Sequence, residues 1–298
     1  MITVSHLSKR YGRRVAVDDV SFEVSAGRVT GFVGPNGAGK STTMRMMVGL
    51  TRPDRGEVRY RGVRYRELLR PGRVVGAVLD ARCMHPGRTA RHHLEAVAHL
   101  SDIPRQRVAS VLHEVGLDDA ADQRAGGFSL GMRQRLALAG ALLGEPQVLL
   151  LDEPSNGLDP DGIRWLRGLL RSFADRGGTV FVSSHLIAEL AVLADDLVVV
   201  GGGRLLAAEP IATTMSRGDT TVHVRTPDPV ELEAWLQRAG FTVQVAGSTL
   251  SVRGATTDVV SQIAYDHQLR IVEIREAARS LEEILLDITG ATAELATA

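Results

Sequence analysis

The chain has 298 residues, 44% of them hydrophobic, and its acidic and basic residues balance to a formal net charge of zero. This length suits one large domain with an appendage, and the neutral charge gives no global support for nonspecific nucleic-acid binding. No apolar run reaches the ~18 residues of a membrane span, and the N-terminus lacks the apolar region of a signal peptide. Because Cys83 is the single cysteine, an intramolecular disulfide is excluded. We therefore expect a reducing cytosol and no redox role for Cys83, with any membrane spans carried by other chains.

Short apolar or alternating runs in residues 2–33 and near residue 56 predict strands: ITVSHL, VAVDDVSFEV, RVTGFVG and GEVRYRG. The third run leads into GPNGAGKST, which fits the phosphate-loop pattern G-x-x-x-x-G-K-[ST] from Gly34 to Ser41. In such a loop glycines let backbone N–H groups face a phosphate chain, the lysine reaches the β- and γ-phosphates, and the serine hydroxyl ligates Mg²⁺. The residues predicted to bind the nucleotide here are Gly34, Asn36, Gly37, Ala38, Gly39, Lys40, Ser41 and Thr42.

Helical periodicity dominates residues 86–145, and its last segment opens with the turn FSLGM. A Ser-x-Gly turn at a helix start presents free N–H groups and the positive end of the helix dipole, which favour an anion. The turn at Ser129 and Gly131 therefore predicts a second phosphate contact, far along the chain from the first loop. Four histidines in this region, His85, His92, His93 and His99, have no spacing that favours a metal site.

Strand-like runs return at 148–152, 179–184 and 197–201, with helical stretches at 160–176 and 186–194 between them. This alternation predicts a mainly parallel sheet covered by helices on both faces. Asp152 and Glu153 follow the apolar run VLLL at the end of a strand where ligands bind in open α/β sheets. Asp152 is the candidate Mg²⁺ ligand and Glu153 the candidate proton acceptor for attacking water, with a structural ion pair as the alternative for Glu153.

After residue 215 the pattern resets to the order βαββαβ, followed by a helix at RSLEEILLDITG. This order predicts a small α+β domain of the ferredoxin-like arrangement. We therefore expect an α/β domain over residues 1–215, with a helical subdomain at about 86–145, and a second domain over 216–298.

With these motifs in place, residues 2–215 resemble the nucleotide-binding subunit of an ABC transporter. The loop GPNGAGKST, the turn SLGMRQR, the acids of LLLDEP, the following SNGLD and the SSH of residues 183–185 occur in that family's order. The resemblance implies a P-loop ATPase with an antiparallel β subdomain and a helical signature subdomain. It also implies that Tyr11 stacks on adenine and that His185 contacts the γ-phosphate, making Glu153, His185 and Lys40 the catalytic set. An exposed turn aromatic remains the alternative for Tyr11.

The resemblance further implies that two such subunits meet head to tail around two ATP molecules. Ser129, Gly131, Met132 and Asp159 would then act on the nucleotide of the partner chain. The turn reads FSLGM where the family usually has LSGGQ, so Leu130 and Met132 replace a Gly and a Gln. Ser129 and Gly131, which carry the phosphate role, are retained.

A second departure is Asp80, which stands where the family usually has a Gln that senses the membrane subunit. Asp80 could ligate Mg²⁺ directly or through water, or be a solvated loop acid. In this respect the chain resembles antibiotic and lantibiotic exporter ATPases, which often carry an acid at this position.

The resemblance implies an ATP- and Mg²⁺-dependent subunit on the cytoplasmic face of the cell membrane, and we expect it to drive export of a drug-like or lipophilic solute. Its expected partners are integral-membrane permease subunits and a second ATPase chain, with a homodimer favoured and no nucleic acid involved. An importer subunit and a mechanical ATPase acting on ribosomes or DNA are the alternatives.

Overall fold

The structure is a computed structural model that describes residues 1–80, 84–216, 221–277 and 280–295. The prediction for Cys83 concerns a residue outside these ranges. Contacts divide the chain into two compact units, Met1–Ile211 together with the residues from Ile288 onward, and Ala212–Asp287. The units therefore separate after Ile211, whereas the sequence analysis places the boundary after residue 215.

The first unit begins with strands and one helix, in the order β1 (Ile2–Tyr11), β2 (Arg14–Val24), β3 (Val29–Val33), α1 (Lys40–Met47), β4 (Arg55–Tyr60), β5 (Val63–Arg64) and β6 (Val75–Val78). Three helices follow: α2 (Ala90–Leu100), α3 (Gln106–Glu114) and α4 (Leu130–Leu142). The unit continues with β7 (Val148–Asp152), α5 (Pro160–Asp175), β8 (Thr179–Ser183), α6 (Ile187–Leu193), β9 (Asp196–Gly201) and β10 (Arg204–Pro210). Helix α7 (Ile211–Ser216) follows, and all but its first residue belong to the second unit.

The main sheet of the first unit has six strands in the order β10-β9-β3-β8-β7-β6. Neighbours from β9 to β6 run parallel, and only the edge strand β10 pairs antiparallel. Val148, Leu149, Leu150 and Leu151 of β7 are all buried, as a strand covered on both faces requires. The predicted parallel core sheet is thus present, and the carboxyl ends of its strands share one edge.

A second sheet of the first unit is antiparallel, with the strand order β2-β1-β4-β5. Helices α2, α3 and α4 lie within the predicted helical segment between β6 and β7. Helices α2 and α3 bury apolar residues that their periodicity predicts, such as Leu94 and Ala98 of α2 and Val108 and Val111 of α3. Helix α4 is buried on more than one side, including at Gln134, while Leu130 at its start is exposed. None of the helices in the described ranges is long and apolar enough to cross a membrane.

The second unit contains β11 (Thr221–Arg225), α8 (Pro229–Arg238), β12 (Thr242–Ala246), β13 (Thr249–Arg253), α9 (Thr257–Asp266) and β14 (Glu273–Ala277), and α10 (Leu281–Leu295) follows. The strands form an antiparallel sheet in the order β12-β13-β11-β14. This topology is the predicted ferredoxin-like arrangement, with its own core around Val222, Leu236 and Leu250.

The last strand of this unit begins later than the run LRIVEIR, at residues 269–275, indicates. At the end of α9 the Leu269 N–H donates to the Ala264 carbonyl at 2.8 Å. Leu269 is therefore still hydrogen-bonded to the end of the helix, and regular pairing with β11 runs from Glu273 to Ala277.

Candidate active site

A cavity of about 750 Å³ lies at the carboxyl ends of β3, β6 and β7. This is the edge at which ligands bind in open α/β sheets. The lining of the cavity combines the loop after β3, the acids at the end of β7 and the start of α4. The lining residues are Tyr11, Arg14, Ala16, Asn36, Gly37, Gly39, Lys40, Ser41, Thr42, Arg45, Leu79, Asp80, Leu130, Gln134, Asp152, Glu153 and Asn156.

The loop between β3 and α1 approaches neighbouring backbone too closely to carry a side chain at Gly39. Gly39 has a φ of +99°, and a Cβ there would lie 2.3 Å from the carbonyl oxygen of Ala16. Helix α1 begins at the next residue, so its first N–H groups point toward the cavity side of the loop. Gly34 and Ala38 belong to the same loop but do not line the cavity. A concave backbone with free N–H groups at a helix start is suited to phosphate.

The ammonium group of Lys40 is folded against this loop. Its Nζ donates to the carbonyl oxygens of Gly34 at 2.6 Å and Pro35 at 3.3 Å, and the residue is only 9% exposed. Burial lowers the pKa of Lys40, and the nearby carboxylates of Glu153 and Asp152 partly oppose this shift. An anion that enters the cavity would stabilise the charged form of this buried ammonium group.

Glu153 and His185 form a close pair beside the cavity. The Glu153 Oε2 atom lies 2.5 Å from His185 Nδ1 and accepts a hydrogen bond from the His185 backbone N–H at 3.1 Å. Glu153 also has a φ of +52°, which is uncommon for a residue with a side chain and clusters at functional sites. The structure therefore brings together two of the predicted catalytic residues, which follow neighbouring strands, and Glu153 is in a left-handed backbone conformation.

Ser183 is a site residue that the sequence analysis missed. Its hydroxyl donates to Asp152 Oδ1 at 2.6 Å and accepts from the Glu153 N–H at 3.0 Å. The available signal was its place in the SSH run at the end of a strand, but only His185 of that run had an assigned role.

Two of the four predicted partner-facing residues, Ser129 and Asp159, cap helices within this chain, and the other two, Gly131 and Met132, lie in the first turn of α4. Ser129 is the N-cap of α4, where its Oγ accepts from the Met132 N–H at 3.2 Å. Asp159 is the N-cap of α5, where its Oδ1 accepts from the Gly162 N–H at 2.8 Å. Ser129 is exposed, and because its oxygen accepts here, its own proton stays available to donate. Neither residue lines the cavity of its own chain.

Leu130, one of the residues that depart from the family pattern, packs against the loop after β7. A Cβ at Gly157 would lie 2.1 Å from Leu130 Cδ2, and Gly157 has a φ of +79°. The leucine thus occupies space that a side chain at position 157 would need. This contact links the turn at Ser129 to the loop that follows the two acids.

Tyr11 and Asp80 both line the cavity and are exposed, Tyr11 to 50%. The Lys9 ammonium lies 5.5 Å from the centre of the Tyr11 ring. Arg14 and Arg45 also line the cavity and were missed, because Arg is abundant along the chain and neither position belongs to a motif.

Comparison with known proteins gives the same family at both the sequence and the fold level. Residues 17–156 match the family model described as ABC transporter, and residues 220–282 match a domain of unknown function (DUF8746). The chain is 33% identical over 297 residues to the uncharacterized ABC transporter ATP-binding protein YhcH of Bacillus subtilis, spanning 99% of this chain and 97% of that protein.

Two further relatives carry the name of a transported compound. The Nod factor export ATP-binding protein I of Rhizobium leguminosarum bv. viciae is 32% identical over 297 residues, 97% of this chain and 94% of its own length. The bacitracin transport ATP-binding protein BcrA of Bacillus licheniformis is 39% identical over 216 residues, 70% of each chain. Among solved structures, the dimeric bacterial ABC transporter cassette MJ0796 matches with a TM-score of 0.66 and 25% identity, over 71% of this chain and 99% of that one.

Proposed function

The chain belongs to the ABC transporter family and is one of its ATP-hydrolysing subunits, and we propose that it powers export of an antibiotic-like or lipophilic solute through separate membrane permease subunits. Two relatives support this class of solute: one is named for bacitracin transport and matches 70% of the chain, and the other is named for Nod factor export and matches 97% of it. The proposal places the chain at the cytoplasmic face of the membrane, bound to its permease.

The observation that supports ATP hydrolysis as the power source is the Glu153–His185 pair beside a cavity lined by Lys40. In this assignment the loop amides and Lys40 hold the β- and γ-phosphates, and Tyr11 stacks on adenine. Glu153 accepts the proton of the attacking water, and the contact with His185 keeps its carboxylate in one orientation. His185 in turn contacts the γ-phosphate.

Mg²⁺ fits the donor set of the cavity. The Ser41 hydroxyl and the Asp152 carboxylate both line it, and hard oxygen donors of this kind, completed by water and phosphate, suit Mg²⁺. Asp80 would be a third oxygen ligand, directly or through water. The described residues contain no group of three or more His, Cys, Asp or Glu side chains placed for a metal. When bound, the ion neutralises charge on the phosphate oxygens.

The proposed active unit is a pair of identical chains with two ATP molecules between them. Ser129, Gly131, Met132 and Asp159 would contact the nucleotide held by the other chain, and the exposed cap at Ser129 supports this reading. The dimeric cassette that matches the first unit supports it as well. A chain alone then holds half of each hydrolytic site.

The first test of these roles is Glu153→Gln, which removes the proton acceptor while keeping the shape of the side chain. We expect ATP binding to persist and turnover to fall about 10²- to 10⁴-fold, with ATP and Mg²⁺ trapping a dimer that light scattering detects. Glu189→Gln in α6 is the matched control and should retain wild-type turnover. Turnover of Glu153→Gln within about threefold of wild type, judged against that 10²-fold scale, would remove Glu153 from the catalytic role.

The shared site is tested by mixing two inactive variants. Lys40→Ala loses its own cradle and Ser129→Arg loses the contact to its partner, so a mixed dimer regains one intact composite site and part of the activity. The control mixture, Lys40→Ala with Glu153→Gln, has a defect in the same half of both sites and should stay inactive. Absence of recovery in the first mixture, with mixed dimers demonstrated, contradicts the shared site.

The export assignment is tested with the permease. We expect a permease with about six apolar spans of ~20 residues each to be encoded next to this chain and to copurify with it. Extrusion of a lipophilic dye by cells that express both chains should stop with Glu153→Gln. Inward accumulation of solute by the same cells would reverse the proposed direction.

A further inference from the structure

The hydroxyl of Ser183 lies between the two acids of the active site. Ser183 ends β8 and pairs in register with Asp152 at the end of β7, and its solvent exposure is 0%. Its Oγ donates to Asp152 Oδ1 at 2.6 Å and accepts from the Glu153 backbone N–H at 3.0 Å. One buried hydroxyl therefore contacts the side chain of one acid and the backbone of the other.

The hydroxyl has a single proton, and the geometry commits it to Asp152. With Oδ1 so engaged, Oδ2 is the carboxylate oxygen that accepts no hydrogen bond from the described part of the chain, while Asp152 itself lines the cavity. The donated hydrogen bond thus selects which oxygen of Asp152 is left for a ligand in the cavity. A hydrogen bond to an ionised carboxylate is stronger and more directional than one between neutral groups.

The accepted hydrogen bond acts on the backbone of Glu153. This residue adopts a φ of +52°, a conformation that a residue with a Cβ rarely adopts without support from its surroundings. The bond from its N–H to Ser183 ties that peptide to β8, the strand that leads to His185. His185 then meets the Glu153 carboxylate at 2.5 Å. The backbone of Glu153 is consequently held by the same hydroxyl that orients Asp152.

We propose that Ser183 is a positioning residue of the hydrolytic site, which orients the Asp152 carboxylate for the metal and holds the Glu153 peptide for catalysis. The inference rests on the proposed roles of Asp152 and Glu153. The Ser183 hydroxyl makes no other hydrogen bond among the described residues, and neither of its two bonds belongs to the backbone ladder of the sheet.

The test compares Ser183→Ala, Ser183→Thr and the matched control Ser184→Ala. Ser184 is the neighbouring buried serine, but its Oγ accepts from the Leu186 N–H at 3.0 Å and does not contact the acids. Outer partners of metal ligands typically contribute 10- to 100-fold to metal affinity or activity. For Ser183→Ala we expect the half-saturating Mg²⁺ concentration to rise, and kcat to fall, by about that factor.

A binding assay separates positioning from folding. Affinity for a fluorescent ATP analogue is measured in EDTA and again with Mg²⁺. Ser183→Ala should match wild type in EDTA and lose most of the gain that Mg²⁺ brings, whereas Ser184→Ala should show the full gain and Ser183→Thr, which restores the hydroxyl, should recover part of it. Circular dichroism and the melting temperature confirm that each variant is folded.

Wild-type Mg²⁺ dependence and kcat in Ser183→Ala would overturn the inference, as would an equal loss in Ser184→Ala. Glu153→Gln run in parallel distinguishes the two levels of the argument. If Glu153→Gln is inactive while Ser183→Ala behaves as wild type, only the role of Ser183 fails. If Glu153→Gln keeps wild-type turnover, the proposed catalytic role of Glu153 fails, and with it the basis of the inference about Ser183.

Discussion

Replacing Gly39 with alanine should weaken ATP binding and destabilise the protein through two separable effects. The first is the backbone conformation, since φ is +99° and a Cβ in left-handed backbone costs about 1–2 kcal/mol. The second is steric, because the new Cβ would lie 2.3 Å from the Ala16 carbonyl oxygen. Ordinary contacts begin at about 3.5 Å, so the loop or the Ala16 backbone must move by roughly 1 Å.

The steric part has a cost of its own in stability and in function. Forcing an extra methyl group into a packed site typically costs about 1–3 kcal/mol, which with the backbone strain sums to roughly 2–5 kcal/mol of unfolding free energy. A displacement of about 1 Å in a positioning element can reduce function by around 10²-fold. We therefore expect ATP affinity to fall by at least about tenfold in Gly39→Ala.

Gly62→Ala is the matched control for the backbone effect alone. Gly62 has a φ of +87°, but nothing lies within 4 Å of its built Cβ. Its unfolding free energy should fall by only about 1–2 kcal/mol, and its ATP affinity should be unchanged. Urea unfolding and titration with a fluorescent ATP analogue measure both quantities. Equal destabilisation of the two variants, with wild-type ATP affinity in Gly39→Ala, would refute the steric argument.

Three further predictions concern other residues of the cavity. Asp80→Ala should keep ATP affinity within about threefold while turnover falls roughly 10-fold, and Asp80→Gln should retain part of the activity; Mg²⁺-titrated turnover equal to wild type would make Asp80 a solvated loop acid. Gly157→Ala should destabilise the protein, and Leu130→Gly should relieve part of that loss in the double variant, with a coupling of about 0.5–3 kcal/mol in urea unfolding. Burial lowers the pKa of Lys40, so the unfolded chain binds this proton more tightly than the folded chain does. The unfolding free energy of the wild type should therefore rise with pH between the lowered pKa and 10.5, and Lys40→Met should lack this rise. Plots of unfolding free energy against pH that run parallel for the two proteins would contradict this prediction.

Local sequence determined most of the fold and the loop that we propose binds phosphate. The loop from Gly34 to Ser41 is readable because its conformation depends on its own glycines and on the helix that starts at Lys40. The helices follow from apolar spacing, and the βαββαβ order of the second unit follows from period changes along the chain. These features involve neighbours in sequence, so the pattern of residue types was sufficient to predict them.

Tertiary structure decided the contacts between distant residues. Ser183 contacts Asp152 only because β7 and β8 pair in a particular register, and a serine at the end of a buried strand has no pattern of its own that reveals this partner. Leu130 looked like a simple departure from a family motif until its packing against Gly157 explained the space it fills. Hydrogen bonds and van der Waals contacts act over a few ångströms, so which residues come within that distance depends on the folded chain and not on their spacing in the sequence.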